Sequence, residues 1–411
     1  MLIQKDSFRL QTFDGGAGSL KIVFTGGGTA GHVMVNRILI PFLQQRDPHC
    51  HIVYIGSHTG MEKDLVKDMP DVRFYGISTG KLRRYFSIEN FRDIFRVAKG
   101  FVEAVRILKS EKPQLIYAGG GYVVVPVVWA ARFLRIPVLL RETDYTIGLA
   151  NRLCMHFARE IFVTFPDTQK QVKHTLYAFP GMIVRPELYD VFTKSDLQLP
   201  SDRPMCLVLG GSLGAMKINE AVWNGLKDLT DRYTVIHICG RNNKNPHILE
   251  SQWYHQIEFT SEIGQYLSAA DVVVTRCGSN ATVEGLSLGK HMVCIPITSK
   301  SSRGEQEQNA AFAVKNGNAV LLPEAELNTE TLLSKMNEAI DKNTECPYQC
   351  TQEEMLERIK RHAATIYQMA SEQLQKDMLC YVNGDMRLNI EELSDHEIRI
   401  LNDIEENMGL F

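Results

Sequence analysis

His32 stands directly behind the glycine turn Gly26-Gly27-Gly28-Thr29-Ala30-Gly31, which itself follows the apolar run Lys21 to Thr25. The dipole of the helix opened by such a turn disfavours imidazolium at its start, so the neutral ring is available as a general base near pH 7. The competing reading is an exposed or internally satisfied histidine without chemistry. Gly210-Gly211-Ser212-Leu213-Gly214 repeats the pattern after Met205 to Leu209, and Gly119-Gly120-Gly121-Tyr122 follows Leu115 to Ala118. Glycine lets the backbone turn sharply and lets an anionic ligand reach the amides, while the helix start adds roughly half a positive charge. Tyr122 then either packs over a tight turn or faces a large substrate lying across this half of the chain.

In the second half, Thr275 leads into Arg276-Cys277-Gly278-Ser279-Asn280-Ala281-Thr282-Val283-Glu284. Ser279 or Asn280 is placed to cap the new helix, leaving its amides for a diphosphate, with Glu284 one turn on to accept from ribose hydroxyls. A capped helix with a solvated glutamate is the bland alternative. Ser301 to Asn309, which includes Gln306, adds polar donors on the next loop. The first turn also satisfies G-x-G-x-x-G, yet the second strand ends Tyr54-Ile55-Gly56-Ser57 with no acid to hold a ribose, which argues against nicotinamide or flavin. No Asp-x-Asp motif offers a metal to a donor diphosphate, and Cys346 and Cys350 lack the second pair that a zinc set needs. The expectation is that no metal or cofactor is required, helix dipoles and hydrogen bonds taking that role.

These residues need rigid elements behind them. Strand-like runs at Lys21 to Thr25, His51 to Ile55, Leu115 to Ala118, Pro137 to Leu140 and Ile161 to Thr164 alternate with amphipathic stretches such as Ile88 to Leu108. A second train runs Met205 to Leu209, Thr234 to Cys239, Asp271 to Thr275, His291 to Ile295 and Ala319 to Leu322. Such alternation predicts α/β architecture: two doubly wound parallel sheets whose facing ends enclose the site. The expected division is an extension at 1–20, an N-terminal domain at 21–186, a C-terminal domain at 187–350, a helical segment at 351–380 packing back across both, and an acidic tail at 381–411. Pro41 is expected to kink or end the helix that starts behind the first turn.

The chain has 411 residues, 44% of them hydrophobic, and a formal net charge of −3, so two ordinary cores are affordable and no global charge calls for nucleic acid. No run approaches the roughly 18 apolar residues of a membrane span, and the first twenty residues lack a signal-peptide core. Nine scattered cysteines read as buried thiols in a reducing compartment, so a soluble cytoplasmic protein is expected.

Together the motifs resemble the MurG family of peptidoglycan N-acetylglucosaminyltransferases. The residues carrying the likeness are GGGTAGH at 26–32, GKLRRYFS at 80–87, GGGYVVVP at 119–126, RETDYTIGLAN at 141–151, GMIVR at 181–185, GGSLGA at 210–215, TRCGSNATVEG at 275–285 and SRGEQEQNA at 302–310. The resemblance implies a GT-B fold and inverting transfer of GlcNAc from UDP-GlcNAc to the MurNAc C4 hydroxyl of undecaprenyl-diphospho-MurNAc-pentapeptide. It implies that the N-terminal domain takes the acceptor and the C-terminal domain the nucleotide sugar. It implies a peripheral protein on the cytoplasmic face of the cell membrane, with cell-wall synthesis proteins as further partners. His32 becomes the base, and Thr29, His32, Tyr122 and Glu142 fall on the acceptor side. Gly28, Thr29, Ala30, Asp144, Arg185, Ser212, Thr260, Gln306 and the helix start Ser279, Asn280, Ala281, Thr282, Val283 and Glu284 match the donor site. The chain departs from the family where the usual His-Glu-Gln-Asn reads Arg141-Glu142-Thr143-Asp144. Other readings within the fold are a different glycolipid synthase or a UDP-sugar epimerase, and outside it a non-catalytic nucleotide-sugar-binding protein.

Lys81, Arg83 and Arg84 beside Tyr85 and Phe86 also form a candidate patch for an anionic membrane surface. The alternative is that the two rings pack under the following helix, whose apolar positions Ile88, Phe91, Phe95, Ala98 and Val102 have helical period.

Overall fold

The computed structural model describes residues 20–81, 88–172, 176–178, 181–211, 214–298 and 304–382. The first sheet comprises β1 (Lys21–Thr25), β2 (His51–Ser57), β3 (Val72–Ile77), β4 (Leu115–Ala118), β5 (Val138–Glu142), β6 (Glu160–Val163) and β7 (Leu176–Ala178), in the order β3-β2-β1-β4-β5-β6-β7. The second comprises β8 (Met205–Leu209), β9 (Thr234–Ile238), β10 (Tyr254–Ile257), β11 (Val272–Thr275), β12 (His291–Cys294) and β13 (Ala319–Leu321), in the order β10-β9-β8-β11-β12-β13. Every pairing is parallel. In both sheets the order reverses direction beside the first strand, β1 or β8, and the cleft lies off the carboxyl ends, where open α/β sheets bind ligands.

The central strands are continuous apolar runs because both their faces are covered: β4 is buried at every position, as is β11. The edge strands β3 and β10 are only half-buried, which is why they carry the weaker sequence signal. Residues 181–204 join the sheets as a one-turn 3-10 helix and a series of turns.

The helices in chain order are α1 (Ala30–Arg46), α2 (Met61–Val66), α3 (Ile88–Glu111), α4 (Val124–Leu134), α5 (Leu149–Cys154), α6 (Met216–Asn224), α7 (Leu226–Thr230), α8 (Ile263–Ala269), α9 (Ser279–Ser287), α10 (Glu305–Asn316), α11 (Thr329–Asp341) and α12 (Gln352–Val382). Pro41 does not end α1, which continues to Arg46; the proline sits on the exposed side, where the helix tolerates its missing donor. Helix α12 returns from the second domain to the first. Its Tyr367 hydroxyl donates to Asp47 at 3.1 Å and its ring lies under Arg46, while His362 reaches the Tyr117 hydroxyl at 3.1 Å.

Among the described cysteines all are unpaired thiols, and all but Cys346 are buried.

Candidate active site

The first wall of the cleft is built by three polar side chains beneath the glycine turns. Tyr54 donates to the Gly26 carbonyl at 2.9 Å, and Asn36 donates to the Thr25 carbonyl and the Tyr54 hydroxyl, both at 3.2 Å. Glu62 accepts from Ser57 N at 2.7 Å and from Gly28 N at 3.4 Å while wholly buried. The turns need glycine: Gly28 and Gly121 have φ of 85° and 82°, and a Cβ on Gly121 would strike the Gly27 carbonyl.

These supports bring the predicted acceptor-side residues together. Thr29 is the N-cap of α1, Ala30 its first residue, and Thr29 Oγ1 lies 2.9 Å from His32 Nδ1. The imidazole covers the second turn, with Nδ1 2.9 Å from where a Cβ on Gly121 would sit. The Tyr122 ring lies against Gly28, and burial followed by the charges of Glu62 and Asp93 raises its pKa, keeping the phenol neutral.

Glu142 is held in a hydrogen-bond network of its own. It is 2% exposed and accepts from Asp144 N at 3.0 Å and from Gly148 N and Asn151 Nδ2 at 2.9 Å. Burial first, and then the neighbouring Asp144, pushes its carboxyl up to about 7. Its oxygens fasten the 143–148 loop, and Asp144 is held at the half-buried edge of that loop.

The second wall is the start of α9. Neither Ser279 nor Asn280 caps it, contrary to the sequence expectation: Gly278 is the N-cap and no side chain accepts from the first amides. Those amides are therefore left for a ligand, as anion sites require. Ser279, Asn280 and Ala281 are half-exposed, whereas the Thr282 and Val283 side chains are buried and the Thr282 amide already donates to the Gly278 carbonyl at 3.0 Å. Glu284 is paired with Arg185 from the interdomain segment at 3.1 Å; burial raises its pKa and Arg185 opposes the rise.

The walls meet closely. A Cβ on Gly31 would lie 3.6 Å from Asn280 Oδ1. Gln306 turns back to accept from Ile297 N at 3.0 Å, and Thr260 follows β10, accepting from Glu262 N at 3.0 Å. Ser212 lies outside the described residues, as do Arg83, Arg84, Tyr85 and Phe86; Lys81 is exposed. Among the described residues no cluster of three or more His, Cys, Asp or Glu side chains is arranged to hold a metal.

Residues 22–163 match the glycosyltransferase family 28 N-terminal domain, and residues 205–366 match its C-terminal domain. A protein of Shouchella clausii is 45% identical over 322 residues, spanning 77% of this chain and 90% of that protein. It bears the name UDP-N-acetylglucosamine--N-acetylmuramyl-(pentapeptide) pyrophosphoryl-undecaprenol N-acetylglucosamine transferase. The chain belongs to the MurG family. A like-named protein of Geobacillus kaustophilus is 43% identical over 76% of this chain and 88% of its own length. The crystal structure of Acinetobacter baumannii MurG superposes with a TM-score of 0.60 over 86% of this chain and 100% of that one at 22% identity, the same GT-B fold.

Within this MurG-family frame the structure adds residues that sequence reading passed over. Glu62 and Asn36 hold the first turn, and Asn309 spans the domains, donating to the Cys277 carbonyl at 3.1 Å and accepting from Tyr145 N at 3.4 Å. The outward face of α3 is the larger surprise. Val97, Gly100, Ala104 and Leu108 pack inward, so the apolar stripe through Phe95 and Val102 points to solvent. Phe95 is 75% exposed and Phe133 on α4 66%, with Ile94, Val102, Trp129 and Phe157 also exposed. Arg92, Arg96, Lys99 and Arg106 border the stripe on α3, Arg96 paired with the buried Asp93 at 3.0 Å and Lys99 with Glu103 at 3.7 Å, and Arg132 and Arg135 flank Phe133. Phe95 and Val102, two of the positions of helical period, thus lie outside the core, and the inward side of the helix carries Gly100, which must pass close to Ser78. Helical period alone did not say which stripe faces inward.

Proposed function

We propose that this chain is the inverting transferase that moves GlcNAc from UDP-GlcNAc to the C4 hydroxyl of MurNAc in undecaprenyl-diphospho-MurNAc-pentapeptide, a step of peptidoglycan synthesis. The observation that carries the reading is the approach of the α1 start, bearing His32, to the uncapped α9 start across one cleft. The Thr29 hydroxyl, 2.9 Å from His32 Nδ1, orients the ring, and in the tautomer that carries its proton on Nδ1 it is Nε2 that takes the proton of the attacking hydroxyl. The new C–O bond forms on the face opposite UDP while the anomeric C–O bond to the diphosphate breaks, its electron pair leaving with UDP. An α-linked donor thus yields a β-1,4 product. The α9 amides and Arg185 stabilise the departing diphosphate, Glu284 receives the ribose hydroxyls, and the backbone around Thr260 reads the uracil. Gly28, Thr29 and Ala30 form the loop where donor and acceptor meet.

A lipid-linked acceptor requires the protein at a membrane surface, and no helix among the described residues is long and apolar enough to cross one. The outward face of α3 and α4, with exposed Phe95 and Phe133 among cations, supplies the peripheral contact: rings enter the headgroup layer of the cytoplasmic leaflet while arginine and lysine meet anionic lipid. The test is incubation with radiolabelled UDP-GlcNAc and a short-chain lipid I analogue, with UDP-glucose and UDP-galactose as competing donors. Transfer of GlcNAc in preference to the other sugars is expected; UDP binding without any transfer would defeat the catalytic reading.

A further inference from the structure

Among the described residues, Arg141 is a buried cation with no anion paired to it. It sits near the end of β5, 1% exposed, with Nη2 donating to Thr164 Oγ1 at 3.1 Å; Nε and Nη1 make no hydrogen bond of good geometry, and the neutral Tyr117 hydroxyl is the acceptor nearest to hand. Its near neighbours are the Tyr117 hydroxyl and His362 of α12, neither of which carries negative charge: burial raises Tyr117, and burial together with Arg141 holds His362 neutral. Glu142, next in sequence, is turned away into the 143–148 loop. Burying an unmatched guanidinium forfeits its hydration without a compensating anion, which a stable fold retains only against some gain.

Arg141 lines a narrow interdomain cavity of about 20 Å³ together with Thr164, Arg185, Ser279, Asn280 and Glu284. The charges around that cavity do not balance. Two guanidiniums and the roughly half charge of the uncapped α9 start face a single carboxylate, a surplus of about one and a half positive charges. A diphosphate complements that surplus, and a modest separation of the two walls would admit one.

We propose that Arg141 is a binding residue for a diphosphate, joining Arg185 and the α9 amides on the anion. This rests on the donor reading above and adds a residue to it. The diphosphate has two sources in that reaction, the nucleotide donor and the lipid-linked acceptor, and the nucleotide is the nearer because Ser279 and Asn280 border the same cavity. Guanidinium suits the task, since its planar donors meet phosphate oxygens two at a time.

The experiment uses the full chain and the variants R141M and R141K, with UDP titrated calorimetrically and uridine measured as its competitor. R141M should weaken UDP about ten- to a hundredfold and leave uridine unchanged, because only the former carries the anion; R141K should recover part of the loss. The melting temperature of unliganded R141M should not fall, since the variant removes an unmatched buried charge. If UDP affinity holds within about twofold while the KM for the lipid-linked acceptor rises about tenfold, the diphosphate bound is the acceptor's. UDP affinity and acceptor KM both unchanged would overturn the proposal. Failure of the unaltered chain to bind UDP would instead defeat the donor reading on which it rests.

Discussion

Glu62→Ala tests how the first glycine turn is held. The Glu62 carboxylate accepts from Ser57 N at 2.7 Å and from Ser57 Oγ at 2.5 Å, with Gly28 N at 3.4 Å, in a place where Glu62 is 0% and Ser57 4% exposed. Removing it strands two buried Ser57 donors at about 1–3 kcal/mol each; the Gly28 contact is long and half-exposed and adds little. Relief of burying a carboxylate with no cation beside it offsets part of that sum. The net expectation is a loss of about 2–4 kcal/mol, read as a melting temperature lower by roughly 4–15 °C for a domain of this size. Glu62→Gln keeps the volume and one acceptor oxygen and should cost about 1 kcal/mol. Since the Glu62 carboxylate also packs directly under Gly27 in the turn where donor and acceptor meet, the alanine variant should lower kcat at temperatures where it remains folded, with a smaller effect on UDP affinity. An alanine variant within about 0.5 kcal/mol of the unaltered chain by urea and thermal unfolding would show that Glu62 does not hold the turn.

Four further outcomes follow from the same geometry. His32→Ala should lower kcat by about a hundredfold or more with UDP affinity preserved, and retention of more than about a tenth of kcat would reduce His32 to positioning the acceptor. Glu284→Ala should weaken UDP by roughly 10- to 150-fold in calorimetry through lost ribose hydrogen bonds, and an affinity within about twofold would make Glu284 merely the partner of Arg185. Replacing Phe95 and Phe133 together by Ser should abolish salt-sensitive sedimentation with anionic vesicles without disturbing circular dichroism; equal binding by the variant would move the membrane contact elsewhere. Glu142 has its folded pKa raised to about 7 from an ordinary 4.5, so the native state keeps a proton that the unfolded chain has released between those values. Its contribution to stability is therefore fully present below about 4.5 and lost as pH rises through about 7, and the part of the unfolding free energy that declines over this window should vanish in Glu142→Gln.

The alternation of buried apolar runs with helical stretches was enough, without any contact information, to imply two parallel sheets, because a strand covered on both faces leaves a continuous apolar signal in its own residues. The glycine turns were legible for the same local reason: a backbone that must take positive φ at Gly28 or Gly121 declares it in the residue type. His32 and Glu284 could be named as candidates from their places one or two turns into a helix behind such a turn. What could not be read is everything decided by partners far away in the chain. Edge strands β3 and β10 carry half-buried patterns because a neighbour is missing on one side, and only the assembled sheet says which strands are edges. The α3 periodicity announced an apolar stripe, but which stripe meets the sheet was settled by the fit of Gly100 against Ser78, leaving Phe95 outside. Glu62 reaches Gly28 across 34 positions and Asn309 reaches Tyr145 across 164, and a polar side chain gives no local sign of where it will find its acceptor or donor. Arg141 shows the limit most plainly: the sequence marked it as a departure from the family, and only the fold, by burying it opposite α9 with two donors unmet, gave its charge a direction.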